Sequence, residues 1–560
     1  MLPTHPPAPD LATRYREAGH WLDRTVGSHL ADLRQRRPGG VAVVDGDRRF
    51  TFAEVDRAAT RLAAALHEDG VAAGDVVSFQ LPNSAEAVIA YQAVMKLGAV
   101  ANPIVPIYRG RELRFILRQA RSRAVLIPGT YRGFDYPAMY ADLLDDLPDL
   151  RRVVVVDEGS PTQSDRFTTW SALIDGASPD AAAIVGALPE PDPDDVCLLL
   201  YTSGTTADPK GALHTHNSLV FENNSMIQLF DLGENDVIFN PSPVTHVTGV
   251  NCALTLPFVL GIPVVLQGVW EPFEALDRIT ATRASFMIFS TPFLQGLLDA
   301  AESTDRQTPS IRYIVCGGAD IPDELTRRAT RRLGTVTRMY GATEGPSVTC
   351  GTLADTEDVR LRSDGRILDP TEVIVVDGSG NTAGTDVVGE VLWRGPDTFL
   401  GYLDPALNDA AFTADGYFRT GDLARFDGAG AIHIEGRIKD IINRSGEKIS
   451  THEVENLLSE HPAVAEVAVV AGPDPTTGER GCAFVVTTDS ETLTLDDVRR
   501  FLTAHEVATQ KIPESIFVVD SLPKTASGKI QKFALRDWTQ DRNTIPQQMA
   551  GVSVRASYER

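Results

Sequence analysis

An α/β protein of more than one domain is what this sequence predicts, and three observations predict it. The chain has 560 residues, whereas a single hydrophobic core stops growing near ~250–300 residues. From Val41 to about Leu266, and again from Ser285, short apolar strand candidates alternate with amphipathic helix candidates. Such alternation builds layers around a largely parallel sheet. From about Thr371 to Ile434 the texture changes to strands and Gly-rich turns, which predicts a small antiparallel or barrel-like subdomain. A compact α+β unit follows Gly436.

In chain order, "AVVD", "DVVSFQL", "RAVLIP", "RRVVVVD" and "DVCLLLYTSG" supply the first strands. Between them "TFAEVDRAATRLAAALHEDG" and "SAEAVIAYQAVMKLG" have helical period. The second opens on an Asn83-x-x-Glu86 capping pattern and stops at Gly98. The acidic, proline-rich "GALPEPDPDD" delivers the chain to the strand "VCLLLYT". A second α/β wave runs from "SFMIFSTPFL" through "IRYIVCGGA". "TEVIVVDGSGNTAGTDVVGEVLWRG" and "GYFRTGDLARFDGAGAIHIEG" form the strand-and-turn region. After "RIKDIINRSGEKIS" come a helix opened by a Ser450-x-x-Glu453 capping box, then "AEVAVVAG", "GCAFVVT" and a helix from Thr494. At about a hundred residues this last unit is large enough to fold alone. The expected limits are 1–436 and 437–545, with a frayed, flexible tail over 546–560.

Composition narrows the function classes. The chain is 43% hydrophobic and 23% charged, as ordinary soluble globular proteins are, and its formal net charge of −24 disfavours nucleic acid and anionic membranes. Cys197, Cys252, Cys316, Cys350 and Cys482 are widely separated and make no C-x-x-C, so neither a zinc site nor a disulfide framework is expected and the compartment is reducing. The N-terminus lacks an apolar signal core. No run approaches the ~18 apolar residues of a membrane span. No integral membrane segment is expected, and the location is the cytoplasm. "HTH" at His214–His216 has strand spacing for a metal pair but no third ligand.

The stretch "YTSGTTADPKG", Tyr201 to Gly211, has the chemistry of a phosphate cradle. It departs from the common nucleotide-binding loop G-x-x-x-x-G-K-[ST], because Pro209 precedes Lys210 and Gly211 follows it. What it offers is the backbone N–H groups of Ser203, Gly204, Thr205 and Thr206, the hydroxyls of Thr202, Ser203, Thr205 and Thr206, and one cation. Such a turn forms an anion-binding nest at a strand's C-terminal end. The plain alternative is a polar surface turn. Four further stretches carry candidate groups: "MYGATEG" (Thr343, Glu344), "YFRTGDLARF" (Asp422), "EGRIKDIINRSGEKIS" (Arg437, Lys439, Gly446, Lys448) and "LPKTASGKIQK" (Lys529). Taken singly, Glu344 also reads as a helix N-terminal acid, Asp422 as an Asx-turn residue and Lys529 as a solvated loop lysine.

Their order along the chain resembles the superfamily of adenylate-forming enzymes: acyl- and aryl-CoA synthetases, nonribosomal-peptide adenylation domains and beetle luciferase. The likeness runs from "TFAEVDRAATRLAAAL" to "PKTASGKIQK". It is strongest to medium-chain and cyclohexanecarboxylate-type acyl-CoA ligases, through "LHTHNSL" and "PVTHVTGV". The resemblance implies a large N-terminal AMP-binding α/β domain with a small barrel, and a mobile C-terminal lid joined near Lys439. It implies that a carboxylic acid attacks MgATP to give an acyl-adenylate and pyrophosphate, after which the thiol of coenzyme A displaces AMP. Thr202 to Lys210 then hold the β- and γ-phosphates, with Ala207 standing where relatives usually carry Gly or Ser. Lys529 is the catalytic lysine, Thr343 binds the α-phosphate, and Glu344 with Thr206 holds Mg2+. Tyr340 stacks on adenine beside Gly317, Gly318, Ala319 and Gly341, while Asp422 and Arg437 serve the ribose.

The resemblance further implies that rotation about Lys439 withdraws Lys529 and presents the "NRSGEKIS" face, with the roles that follow. Gly446 passes the pantetheine arm, and Arg444 and Lys448 meet CoA phosphates. His246 takes a catalytic role or is a hydrogen-bonded core histidine. The acyl pocket is assigned to His246, Val247, Gly249 and Val250, to Thr291, and to Met339 and Ala342. No lysine or arginine stands there to pair a second carboxylate, so an apolar monocarboxylic acid is expected. The partners are that small acid, ATP and CoA, with a homodimer left open and no nucleic acid. The competing readings are an adenylation enzyme loading a carrier protein in trans, and a non-catalytic nucleotide or acyl-CoA binding protein.

Overall fold

The computed structural model describes residues 2, 4–156, 164–202, 209–318, 321–444, 447–488, 493–505, 507–525, 528–540 and 555–558, with backbone alone at 447–448, 540 and 555–558. The chain forms two compact units. One comprises Met1–Ile321, Leu325–Glu372 and Arg394–Phe418; the other comprises Pro322–Glu324, Val373–Trp393 and Arg419–Arg560.

Two α/β sheets make up the first unit. In one, the strand order is Lys210–Thr215, Val196–Thr202, Val100–Pro103, Val76–Phe79, Ala124–Ile127, Arg152–Val155, Phe167–Thr169. Every pairing is parallel except the first. In the other, the order is Arg366–Ile367, Gly345–Cys350, Thr335–Ala342, Tyr313–Gly317, Phe286–Phe289, Ile238–Asn240, Val264–Leu266, Val41–Asp45, Arg48–Thr51. Its interior is parallel and its margins antiparallel. Val76–Phe79 and Ala124–Ile127 are buried along their whole length, which is why they read as continuous apolar runs rather than as alternation.

The helices follow from their caps and faces. Phe52–Glu68 opens on a full capping box between Thr51 and Glu54, and buries Phe52, Val55, Ala59 and Leu62 in the main core. Each such Phe, Val or Leu contributes about 1.5–3 kcal/mol. The helix Ala85–Lys96 does not start as its sequence suggests. Ser84, not Asn83, is the cap, accepting from the Ala87 N–H at 3.4 Å. Asn83 instead donates to the carbonyls of Pro241, Ser242 and Gln267 at 3.3, 3.0 and 3.0 Å and accepts from Val244 N–H at 2.8 Å. A primary amide has both donors and acceptors for that buried junction, and the hydroxyl one residue later suffices for the cap. Glu86 pairs with Arg48 at 2.5 Å.

In the second unit, Glu372–Val376, Gly389–Arg394, Phe418–Phe426 and Ile432–Arg437 form a four-stranded sheet. A second sheet has the order Glu447–Ser450, Ile441–Arg444, Gly478–Thr487, Ser515–Val518, Arg555–Tyr558, with Val464–Asp474 also on Gly478–Thr487. Its core holds Ile442, Val454, Leu458, Val469, Val485 and Leu502. The stretch expected to fray thus contains a strand. Arg555–Tyr558 pairs antiparallel with Ser515–Val518, covering an edge whose backbone groups would otherwise lack a ladder partner. At the helix Thr451–Ser459, Ser450 accepts from Glu453 N–H at 3.3 Å, and the Glu453 carboxylate pairs with Lys511 at 2.6 Å. Among the described residues no helix is long and apolar enough to cross a membrane.

Candidate active site

The candidate groups of the first unit gather at the C-terminal ends of parallel strands, the side on which open α/β sheets bind ligands. The strands Val196–Thr202 and Lys210–Thr215 enclose residues 203–208, so Ser203, Gly204, Thr205, Thr206 and Ala207 lie outside the described residues. Thr202 pairs with Lys210 as the last rung, and its hydroxyl donates to the Lys210 carbonyl at 3.5 Å. The segment Leu400–Leu403 runs beside this strand: Leu400 N–H donates to Leu213 O and Leu403 N–H to Gly211 O, both at 2.7 Å.

That docking places Tyr402 between two charged candidates. Its ring centroid lies 5.1 Å from Lys210 Nζ, within cation–π range, and its hydroxyl donates to Glu344 Oε1 at 2.7 Å. Phe399 N–H donates to the Glu344 carbonyl at 2.9 Å. His214, four residues along the strand from Lys210, bonds through Nε2 to the Thr343 carbonyl at 2.7 Å. A carbonyl only accepts, so Nε2 carries the proton. Burial pushes the His214 imidazole down to about 4, against the pull of that hydrogen bond, so the ring is neutral at pH 7. His216 points elsewhere, its Nδ1 accepting from Val26 N–H at 3.2 Å. The two histidines therefore do not share a ligand.

Thr343 and Glu344 form the two-residue turn of a hairpin, since Ala342 pairs with Gly345. The helix-start reading of Glu344 is therefore replaced by a hairpin turn, with the residue only 9% exposed. Behind the turn a Cβ on Gly341 would lie 2.1 Å from the Pro346 carbonyl oxygen, and one on Gly317 would lie 2.6 Å from that of Met339. Both glycines are demanded by backbone approach. Gly317 pairs with Met339 and Tyr340 with Thr349, so the assigned adenine wall is built from adjacent strands. Gly318 follows directly, and Ala319 lies outside the described residues.

The assigned acyl side begins where Ile238–Asn240 ends. His246 caps the short helix Val247–Gly249, its Nδ1 accepting from Thr248 N–H at 3.3 Å. The residue is hydrogen-bonded but only part-buried, so it does not sit in the core. A π-helical turn, Val250–Thr255, follows; such turns recur at functional sites. Val247 and Val250 are buried. Gly249 has a packing reason of its own, because a Cβ there would fall 2.0 Å from the Pro243 oxygen. Thr291 Oγ1 lies 4.0 Å from Cys316 Sγ, and Met339 Sδ 3.4 Å from Ser347 Oγ. Ala342 closes the strand at the hairpin turn.

In the second unit Asp422 and Arg437 stand directly opposite each other on antiparallel strands, with Arg437 Nε donating to Asp422 Oδ1 at 2.9 Å. Gly421, at φ +71°, lets the chain turn so that Asp422 N–H reaches Thr420 Oγ1 at 2.8 Å. Lys439 lies in the single turn Ile438–Asp440. Arg536 donates to the Lys439 carbonyl at 3.3 Å and pairs with Asp440. Lys529 sits on a closed turn: Thr525 N–H donates to the Lys529 carbonyl at 2.8 Å, and Lys529 N–H to Thr525 Oγ1 at 3.1 Å. Arg444 is held by Glu514 at 2.6 Å, so an incoming phosphate competes with a carboxylate there. Gly446 lies outside the described residues, and Lys448 is described by its backbone, paired with Asn443.

Tyr402 and His214 are the site residues that motif reading misses. "HTH" drew attention to His214 for the wrong chemistry, and Tyr402 in "LGYLDP" has no local signature. Among the described residues the first unit brings together the Lys210 ammonium, the anchored Glu344 carboxylate and the Thr202 hydroxyl at the strand end, groups suited to a polyphosphate with a hard divalent cation.

Comparison with known proteins bears on this chemistry. The AMP-binding enzyme family matches residues 30–403, and the AMP-binding enzyme C-terminal domain matches residues 453–529. The medium-chain fatty-acid–CoA ligase of Escherichia coli K12 is 34% identical over 525 residues, 93% of this chain and 92% of that protein. A salicylyl-CoA synthase / salicylate adenylyltransferase of a Streptomyces species is 36% identical over 539 residues, 94% of this chain and 96% of that protein. The crystal structure of ATP-bound MatB from Rhodopseudomonas palustris aligns with a TM-score of 0.82 at 25% identity, over 93% of this chain and 100% of that one.

Proposed function

This chain belongs to the AMP-binding enzyme family and is an adenylate-forming ligase, and from that premise we propose that it joins an apolar monocarboxylic acid to coenzyme A at the expense of ATP. The observation that carries the reading is the Lys210–Tyr402–Glu344 constellation at the end of the strand pair Val196–Thr202 and Lys210–Thr215. In the first half-reaction a carboxylate oxygen bonds to the α-phosphorus as the bond to the β-phosphate bridge breaks and pyrophosphate leaves. In the second, sulfur bonds to the acyl carbon as the acyl–phosphate bond breaks and AMP leaves.

An anion must approach a polyanion, so fixed cations offset repulsion as charge shifts in the transition state. Lys210 and Thr202 to Thr206 take the outer phosphates, Thr343 the α-phosphate, and Lys529 bridges the acid and that phosphate. Magnesium suits the donor set, since the nearly buried Glu344 carboxylate is a hard oxygen ligand and Thr206 adds a hydroxyl. Bound there, the ion would neutralise charge on the phosphates. Asp422 and Arg437 serve the ribose, and Tyr340 with Gly317 to Ala319 the adenine. The domain limits at Gly436 and Arg437, the turn of the lid about Lys439, and the Gly446, Arg444 and Lys448 path for CoA belong to the same proposal. So do His246 at the reacting carboxylate and the acyl wall of Val247, Gly249, Val250, Thr291, Met339 and Ala342.

The test is a panel of linear, alicyclic, aromatic and steroid-derived acids, read in parallel by ATP–pyrophosphate exchange and CoA consumption. Acid-dependent exchange with matching thioester formation supports the proposal. Exchange without CoA turnover moves it to the second reading, a carrier-loading enzyme, which the double activity named for the Streptomyces relative favours. No exchange with any acid overturns both.

Tyr402→Phe separates the two contacts of that ring. The ring and its approach to Lys210 remain, but the bond to Glu344 goes, and losing such a metal-ligand support costs about 10–100-fold in metal affinity. The half-saturating magnesium concentration for exchange is expected to rise by about that factor. An unchanged magnesium dependence would remove Tyr402 from the site.

A further inference from the structure

Two carboxyl groups with no part in the proposed reaction lie behind the Thr343–Glu344 turn. Glu222, on the helix His216–Leu229, is 3% exposed, and Asp397, just before Phe399, is 1% exposed. Both meet Ser347 on the second strand of the hairpin. Its hydroxyl donates to Glu222 Oε1 at 2.6 Å, and its N–H to Asp397 Oδ2 at 3.5 Å. Among the described residues neither carboxyl pairs with a lysine or arginine, and Glu222 Oε2 and Asp397 Oδ1 have no hydrogen-bond partner.

Neutral groups surround the pair. The thioethers of Met226 and Met339 reach Ser347 Oγ at 3.9 and 3.4 Å. The buried thiols of Cys252 and Cys350 face Glu222, and burial pushes each up to about 12. Burial, then the charge of Asp397, raises the Tyr15 phenol to about 12. The neighbouring cations Arg14 and Arg394 are paired with Glu372 instead.

We propose that Glu222 and Asp397 together carry one negative charge, with Glu222 protonated, and that this clasp through Ser347 positions the turn bearing Thr343 and Glu344. The clasp grips the strand three residues after Glu344. The segment that supplies Asp397 goes on to grip Glu344 itself, through Phe399 N–H and the Tyr402 hydroxyl. Two ionised carboxylates in a dry interior with no cation would repel each other and pull these two grips apart. Burial, then the charge of Asp397, raises Glu222 to about 8, and burial raises Asp397 as well. Glu222 and Asp397 are positioning residues, and their meaning for catalysis rests on the ligase reading above.

A raised carboxyl holds its proton in the folded chain after the unfolded chain has lost it. Stability therefore falls as pH climbs from the ordinary glutamate value near ~4.5 to about 8 and levels off above that. Glu222→Gln keeps the shape of the neutral acid and lacks this dependence. The melting temperature of E222Q minus that of the native chain is expected to rise by about 3 °C or more between about pH 5.5 and about pH 8, then stay level. Native ATP–pyrophosphate exchange is expected to drop about tenfold from about pH 7 to about pH 9, and E222Q is expected to lose that drop. Asp397→Asn, which removes the neighbouring charge that helps raise Glu222, should displace the native drop to lower pH. Parallel melting profiles overturn the shared proton. A pH-dependent melting difference with identical exchange profiles overturns the positioning of the turn. Absence of exchange with every acid strikes the ligase reading instead, and the melting comparison still decides the shared proton.

Discussion

Replacing Lys529 by alanine is expected to lower acid-dependent ATP–pyrophosphate exchange about 100- to 1,000-fold, the range for removing one preorganised donor from a developing charge. Thioester formation from supplied acyl-adenylate and CoA should stay within about twofold, because no anion then approaches a polyphosphate. The argument rests on how the residue is carried. Lys529 closes a turn pinned by its own backbone bonds to Thr525, so its ammonium moves with the C-terminal unit rather than as a free loop. Separate assays of the two half-reactions decide the matter. Equal loss in both would show that Lys529 supports the fold or both steps alike, and would end the assignment of distinct lid poses.

The second large effect is expected at Gly341. Alanine there places a methyl 2.1 Å from the Pro346 carbonyl oxygen, and the obstacle is backbone, which cannot rotate aside as a side chain does. Forced packing of this kind costs about 1–3 kcal/mol or more. The hairpin relieves it by separating its strands at the turn that holds Thr343 and Glu344. A displacement of about 1 Å costs on the order of 100-fold in rate, so exchange should fall by that factor. Gly384→Ala, where a Cβ meets nothing within 4 Å, is the control and should match the native chain. Native exchange in G341A would show that the turn's placement does not matter to the reaction.

Local chemistry made much of this legible. Continuous apolar runs such as "RAVLIP" mark buried parallel strands, and the Thr51 and Ser450 caps sit where helix-start chemistry places them. The family resemblance put Asp422 and Arg437 at the same expected ligand, and cross-strand register sets them opposite each other. Asn83 shows the limit. Its side chain suits a cap as well as a buried junction, and only the arrival of Pro241–Val244 and Gln267 decides between them.

By itself the sequence determined the alternation of strands and helices, the strand-and-turn region, the family, and which residue types could handle phosphate. Those are properties of period, turn chemistry and motif order, all short-range along the chain. The tertiary structure alone decided that Tyr402 meets Glu344 across 58 residues, that His214 meets Thr343 across 129, and that Glu222 and Asp397 converge on Ser347. Such meetings depend on sheet order and register, which set distant segments side by side and leave no trace in the spacing of either one.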